Sequence, residues 1–148
     1  MTNKPVTDGL KKVLADSYTL ALKTQNFHWN VEGRHFSALH ALFETQYTDL
    51  AAAIDEIAER IRALGEKSPG SYAEFGKLTV IKEGKSDLDE NAMVKDLHDS
   101  HVQIVGTLKK ALTAAQKAED EATADVLIGR IQIHEKTAWM LKASLPKK

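Results

Sequence analysis

Five side chains in the N-terminal half of the chain have the chemistry of a metal site: His28, His40, Glu44, Asp55 and Glu59. Imidazole nitrogens with carboxylate oxygens suit a borderline or hard cation such as iron, manganese or zinc. Four of the five share one face of one helix. From Phe36 onward the apolar residues Phe36, Leu39, Phe43, Tyr47, Leu50, Ile54, Ile57, Ile61 and Leu64 recur in steps of three and four, the period of a buried helical stripe. His40, Glu44, Asp55 and Glu59 form a second stripe beside it, about 100° wide. The competing reading is a solvated polar face with one histidine in the core.

A single subunit cannot close such a site. His40 and Asp55 are 15 residues apart, about 22 Å along a helix, whereas metal ligands lie within about 2–2.6 Å of the ion. The pairs His40–Glu59 and Glu44–Asp55 are centred on the same point, between residues 49 and 50. An antiparallel copy of the helix, related by a two-fold axis at that point, would set His40 against the partner's Glu59 and Glu44 against the partner's Asp55. Such an interface is isologous, so it makes two identical sites. Thr48 and Ala51, mid-stripe, are small enough for close approach.

His28 precedes Trp29 and is followed by Gly33, so it ends one helix just before the next begins. The order His28, His40, Asp55, Glu59, with HWNVEG (28–33), DEIAER (55–60), ATADVL (122–127) and HEKTAWML (134–141), resembles the Dps miniferritins of the ferritin superfamily over nearly the whole chain. The resemblance implies an all-α, ferritin-like four-helix bundle and a hollow homododecamer built from two-fold dimers. It implies a ferroxidase that oxidises Fe²⁺, with hydrogen peroxide as oxidant, stores Fe³⁺ and so protects DNA from oxidative damage. The histidines would come from one subunit, and Asp55 and Glu59 from its two-fold mate. Glu44 falls at the position of an extra carboxylate, binding directly or through water. Iron is the implied metal, with zinc or manganese as substitutes, and Trp29 would lie near the site, as packing or as an electron donor. Asp125, and with less support Glu121, would line a three-fold pore for Fe²⁺. Glu119, Asp120, Glu121 and Asp125 also fit a simpler reading, acids at the positive end of a helix.

A different class of function is a nucleoid-associated DNA-binding protein that shields DNA physically. Its contacts would come from the chain ends, Lys4, Lys142, Lys147 and Lys148. A net charge of −1 offers no basic domain for nucleic acid, so DNA binding is expected to be weak. A third reading is a helical bundle whose polar stripe only fixes a dimer. No cysteine is present, which removes disulfides and thiolate chemistry. No apolar run approaches the roughly 20 residues of a membrane span, and MTNKPVTDG lacks the apolar core of a leader. The expected location is the cytoplasm, including the bacterial nucleoid.

The elements that must carry these residues follow from periodicity. Residues 1–6 read as a loose arm, and a first helix is expected from Thr7 or Asp8 to His28. Ser37 could cap the second helix, which runs to Leu64 with Gly65 as its stop. Residues 65–89 hold four of the eight glycines and read as a long crossover of the ferritin-like kind, with a short helix at 71–78 anchored by Tyr72, Phe75 and Leu78. A third helix begins at Asp89-Glu90; Gly106 inside it suggests close packing. A fourth begins near Thr123, and residues 146–148 form a short basic end. His98 and His101 on the third helix read as a surface polar patch with Asp96 and Asp99. His134-Glu135-Lys136 reads as structural. Glu32-Gly-Arg-His35 is the one Glu-x-x-His match. It straddles a helix break, so the usual pair of such motifs inside a bundle is not available.

Overall fold

The computed structural model describes residues 3–147. Four long helices, α1 (Lys4–Asn30), α2 (Phe36–Ala63), α4 (Glu90–Lys117) and α5 (Glu121–Ala143), pack around one core; a short helix, α3 (Tyr72–Leu78), rides on the crossover from α2 to α4. No strand occurs among the described residues. The α2 stripe is buried as its period requires: Leu39, Phe43, Leu50, Ile57 and Ile61 are in the core. Opposite it, the core is filled by Leu10, Leu14, Leu20 and Phe27 of α1 and by Met93, Leu97, Ile104 and Leu108 of α4.

The helix ends show where local chemistry overrode the sequence expectation. α1 starts at Lys4, not at Thr7 or Asp8: Asn3 caps it, its side chain accepting from the Val6 N–H, with Pro5 in the first turn. Proline suits that position because the first N–H groups of a helix lack partners anyway, and Val6, 1% exposed, needs burial. The arm expected over residues 1–6 is therefore helix from Lys4, and Lys4 is bonded to Asp8. Ser37 does not cap α2. His35 occupies that position without a side-chain cap; instead Glu90 reaches across from α4 and accepts from His35 N and Nδ1, at 3.1 and 2.7 Å. These contacts hold the Glu90 carboxyl below its usual range. Gly65 stops α2 with φ 102°, a conformation that favours glycine. α5 begins at Glu121 behind an Asp120 cap, two residues before the expected Thr123.

The crossover is fastened at its midpoint. Asp16 of α1, fully buried, accepts from Thr79 Oγ1 at 2.6 Å, Val80 N at 2.9 Å and Thr107 Oγ1 of α4 at 2.7 Å. Phe75 is the buried anchor of α3, packed on Tyr18 at 4.8 Å; Tyr72 is 75% exposed and meets Tyr18 edge-on. Gly106 has open space around it rather than a close neighbour. The helical glycine in tight contact is Gly9, whose added Cβ would come within 3.0 Å of Ala111. Among the described residues no helix is long and apolar enough to cross a membrane.

Candidate functional site

His28, in the last turn of α1, and His40, in the second turn of α2, face each other across the antiparallel pair. Their rings stack 3.7 Å apart at 14°. Each ring is oriented by the other residue's backbone: His28 Nδ1 lies 2.7 Å from the His40 carbonyl, and His40 Nδ1 lies 2.7 Å from the His28 carbonyl. A carbonyl oxygen only accepts, so both Nδ1 atoms carry the hydrogen. In the neutral rings this leaves the lone pair on Nε2, the arrangement in which a ligating histidine is held by its other nitrogen. Phe36 stacks on His40 at 5.1 Å, and Tyr47 and His28 meet in a T-shaped arrangement at 5.2 Å. His28 is 6% exposed, so its orientation is enforced by packing.

The carboxylates divide into two groups. Glu44 is near the histidines, its Oε1 3.8 Å from His28 Nε2. Asp55 and Glu59 lie exposed further along α2, Asp55 about 22 Å from His40 by helical rise. Among the described residues no three His, Asp or Glu side chains of one chain come together as a metal cage. Within one chain the stacked histidines, at the end of α1 and the start of α2, therefore lie far from Asp55 and Glu59. Trp29, expected to pack or to donate electrons, is 62% exposed. With Leu22, Tyr47, Thr48, Ala51 and Tyr72 it lines a groove of about 500 Å³ over the middle of α2.

The acidic cluster surrounds a shallow depression of about 560 Å³ lined by Glu119, Asp120, Glu121, Asp125 and Ile128. Asp120 is committed elsewhere. It caps α5 and bonds Thr123, and Arg60 of α2 reaches it at 3.3 Å. Burial opposes its charge, but the bonds from Thr123 and the Arg60 guanidinium hold it below the usual carboxylate range. Asp125 and Glu121 remain exposed carboxylates beside this depression.

His101 is not part of a surface patch: it is 2% exposed and lies 2.9 Å from His134 of α5, Nδ1 to Nδ1. Of the two, His98 is the one at the surface side, 3.0 Å from Asp99, while Asp96 pairs with buried Lys23 at 2.9 Å. The core spacing of α4 includes position 101, and burial follows that period. His134 is structural, 1% exposed, with Arg130 donating to its Nε2 at 3.0 Å. Glu32 is exposed in the turn and His35 is taken by Glu90, so the Glu-x-x-His match forms no site. Lys147 is exposed and Lys148 lies outside the described residues. The aromatic walls of the site, Phe36 and Tyr47, are additions to the residues expected from sequence; Phe36 precedes His40 by four positions, a spacing that brings side chains together. The carbonyls that orient the rings leave no mark in a sequence.

Comparison with known proteins agrees with this architecture. The ferritin-like domain family matches residues 7–147. A curated relative, DNA protection during starvation protein 2 of Bacillus anthracis, is 41% identical over 97% of this chain and 98% of its own length. The Dps structure from Bacillus brevis superposes with a TM-score of 0.93 at 36% identity, covering 97% of this chain and 98% of that one. Dps from Staphylococcus aureus gives 0.95 at 31%, covering 99% of both chains. The Vibrio cholerae Dps structure, described as a member of a broad superfamily of ferritin-like diiron-carboxylate proteins, gives 0.91 at 33%, over 95% of this chain and 88% of that one. With its helix order, crossover and residue pattern matched over almost its whole length, the chain belongs to the Dps miniferritins of the ferritin-like family.

Proposed function

We propose that this protein oxidises and stores iron, with Fe²⁺ as substrate at sites shared between two-fold related subunits. The observation that carries the reading is the pair of stacked histidines. Their Nδ1 atoms are spent on backbone carbonyls and Glu44 lies 3.8 Å from His28 Nε2, yet no complete ligand set forms within one chain among the described residues. His28 and His40 would bind from one subunit, and the partner's Asp55 and the partner's Glu59 from the other. Glu44 would bind directly or through water. Carboxylates favour the higher charge of Fe³⁺. Two Fe²⁺ and two protons would reduce one hydrogen peroxide to two waters, yielding two Fe³⁺ for storage in a dodecameric shell. Zinc or manganese would compete at the same nitrogen and oxygen donors. The groove over Thr48 and Ala51, with Leu22, Trp29 and Tyr72 exposed around it, supports a second copy seated at the centre of α2. Asp125, with Glu121, would guide cations at a three-fold opening. Work in the cytoplasm would place the shell beside the DNA it protects.

The test is complementation. One variant lacks both histidines (His28→Ala with His40→Ala); the other lacks both acids (Asp55→Ala with Glu59→Ala). Each alone loses rapid Fe²⁺ oxidation. Co-assembled from unfolded chains, half the dimers are mixed, and each mixed dimer has one intact site, so about a quarter of the wild-type sites return. Mass measurement confirms mixed oligomers; if these form and oxidation stays absent, the site is not shared.

Physical shielding of DNA is the second reading, favoured by the name of the Bacillus anthracis relative. Against it, Lys4 belongs to α1 and is bonded to Asp8 rather than lying in a free tail.

A further inference from the structure

Among the described residues, each of the four long helices sends one polar atom into the interior that meets no partner: Ser17 Oγ from α1, Gln46 Oε1 from α2, His101 Nε2 from α4 and Arg130 Nε from α5. All four residues are more than nine-tenths buried, at 0, 7, 2 and 6% exposure. Their neighbours fix their level in the bundle. Asp16 bonds Thr107, which sets Ser17 near residue 105 of α4. His101 touches His134, and Arg130 reaches Asp49, which sets Gln46 one turn away near His134. The four residues therefore occupy one cross-section, within about 6 Å along the bundle axis, roughly one helical turn.

The hydrogen positions in this layer can be derived. Arg130 only donates, so His134 Nε2 is an acceptor and, with the ring neutral, Nδ1 carries the hydrogen. That hydrogen is donated to His101 Nδ1, which leaves the His101 hydrogen on Nε2. The unpartnered groups are then two donors, Arg130 Nε–H and His101 Nε2–H, one acceptor, Gln46 Oε1, and one hydroxyl that does either. A cation would face the Arg130 guanidinium and two N–H donors. An anion would face Gln46 Oε1, in a layer whose guanidinium is already paired to Asp49 at 3.0 Å. Water, which donates two hydrogen bonds and accepts two, can partner each of these four groups.

We propose that the centre of the bundle, between Ser17, Gln46, His101 and Arg130, is an internal binding site for a small neutral hydrogen-bonding molecule, with water as its ordinary occupant. Bundle proteins build their metal and cofactor sites from side chains on facing helices in this kind of location. Here the same location carries an arginine and selects a neutral guest. Buried waters commonly make about three hydrogen bonds to otherwise unpaired polar groups, and burying such groups unpaired is costly.

The direct test is magic-angle-spinning NMR on the assembled protein labelled with ¹⁵N-histidine. The expected result is a cross-peak between the His101 Nε2–H and water, assigned by its loss in His101→Gln. Its absence overturns the proposal, as does a shift of that nitrogen on chloride titration, which would make the site an anion site. Gln46→Leu gives an independent readout of opposite signs. If Gln46 Oε1 holds a bound molecule, the variant melts a few degrees lower; if the oxygen is unpartnered, its removal raises the midpoint. A raised midpoint overturns the proposal even where the fold is retained.

Discussion

Lowering the pH from 7 to 5 should destabilise this protein through the buried histidine pair, by an amount the structure sets. Burial is the largest cause, and the Arg130 and His98 charges add to it: the His101 ring is pushed down to about 3. His134 is driven in the same direction by burial first, then by His101 and Arg130. The groups facing the pair are Arg130 on α5, His98 on α4 and, through Arg130, Asp49 on α2; on α1, Lys23 is bonded to Asp96 and Ser100, and Asp16 to Thr79 and Thr107. An unfolded histidine titrates near 6.5. Because the folded value is depressed, the unfolded chain binds more protons below pH 6.5. Stability is therefore whole above that pH and falls steadily until about pH 3, where the folded ring also protonates. At pH 5 the gap of about 1.5 units between pH and the unfolded value corresponds to about 2 kcal/mol per chain from His101 alone. For a chain of this size that is a fall of about 4–8 °C in midpoint. The variant His101→Gln keeps an acceptor for the His134 Nδ1–H but cannot titrate. It should start less stable at pH 7 and then lose about 2 kcal/mol less than wild type on going to pH 5. Calorimetry at matched protein concentration, at half-unit pH steps, reads the difference. Parallel curves for the two proteins would refute the reasoning, because they would mean that His101 gains its proton in the folded state as readily as in the unfolded one.

Three other outcomes are expected, the first from the structure and the other two from the proposed function. Asp16→Ala should cost about 3 kcal/mol or more, since Thr79, Val80 and Thr107 all lose a buried acceptor; hydrogen exchange should show residues 79–81 opening first, and unchanged protection there would contradict the fastening role. Light scattering should give about twelve times the 16.4 kDa chain mass, and a stable native monomer would leave the histidine and acidic halves unable to meet. DNA complexes in a gel shift should be weak and disappear near physiological salt, as counterion release requires; tight complexes at about 200 mM salt would show that the lysines do more than their pairing suggests.

The helices are legible in the sequence because burial enforces period. The α2 stripe, the crossover with a helix at 72–78 and the Gly65 stop all appear where spacing and turn chemistry put them. Most of the departures share a cause: they depend on contacts between distant residues. Nothing near Ser37 says that Glu90, 55 residues from His35, will secure the start of α2. His101 and His98 are equally polar in sequence, and only the α4 period, with His134 opposite, sends one inward and leaves the other at the surface. The early start of α1 has a local signal in Asn3, Pro5 and Val6, a cap, a first-turn proline and an apolar residue, but Thr7 and Asp8 offer a competing cap, and the burial of Val6 decides between them. At the candidate site the residue types are readable, while the orientation of the rings is not, because it is fixed by two backbone carbonyls.

The polar cross-section and the candidate ligands on α1 and α2 bear on one another. A four-helix bundle offers its centre as the natural place for a metal, with each helix contributing ligands. In this chain the centre holds Arg130, tied to Asp49 and to His134. A dication there would displace those bonds and face an uncompensated guanidinium in a low-dielectric interior, where like charges repel strongly. The donors suited to a cation sit instead at the rim: His28 and His40, each with its Nδ1 spent on a carbonyl and its Nε2 left for a ligand, and Glu44, Asp55 and Glu59 on the same helix as His40. Moving the ligands outward separates them along α2 by more than any single ion spans. On the proposed reading, iron chemistry then becomes a property of the dimer, and a chain that folds but fails to pair binds no iron productively. The internal arginine would thus keep the metal out of the bundle, and the two-fold contact would decide where it is taken up.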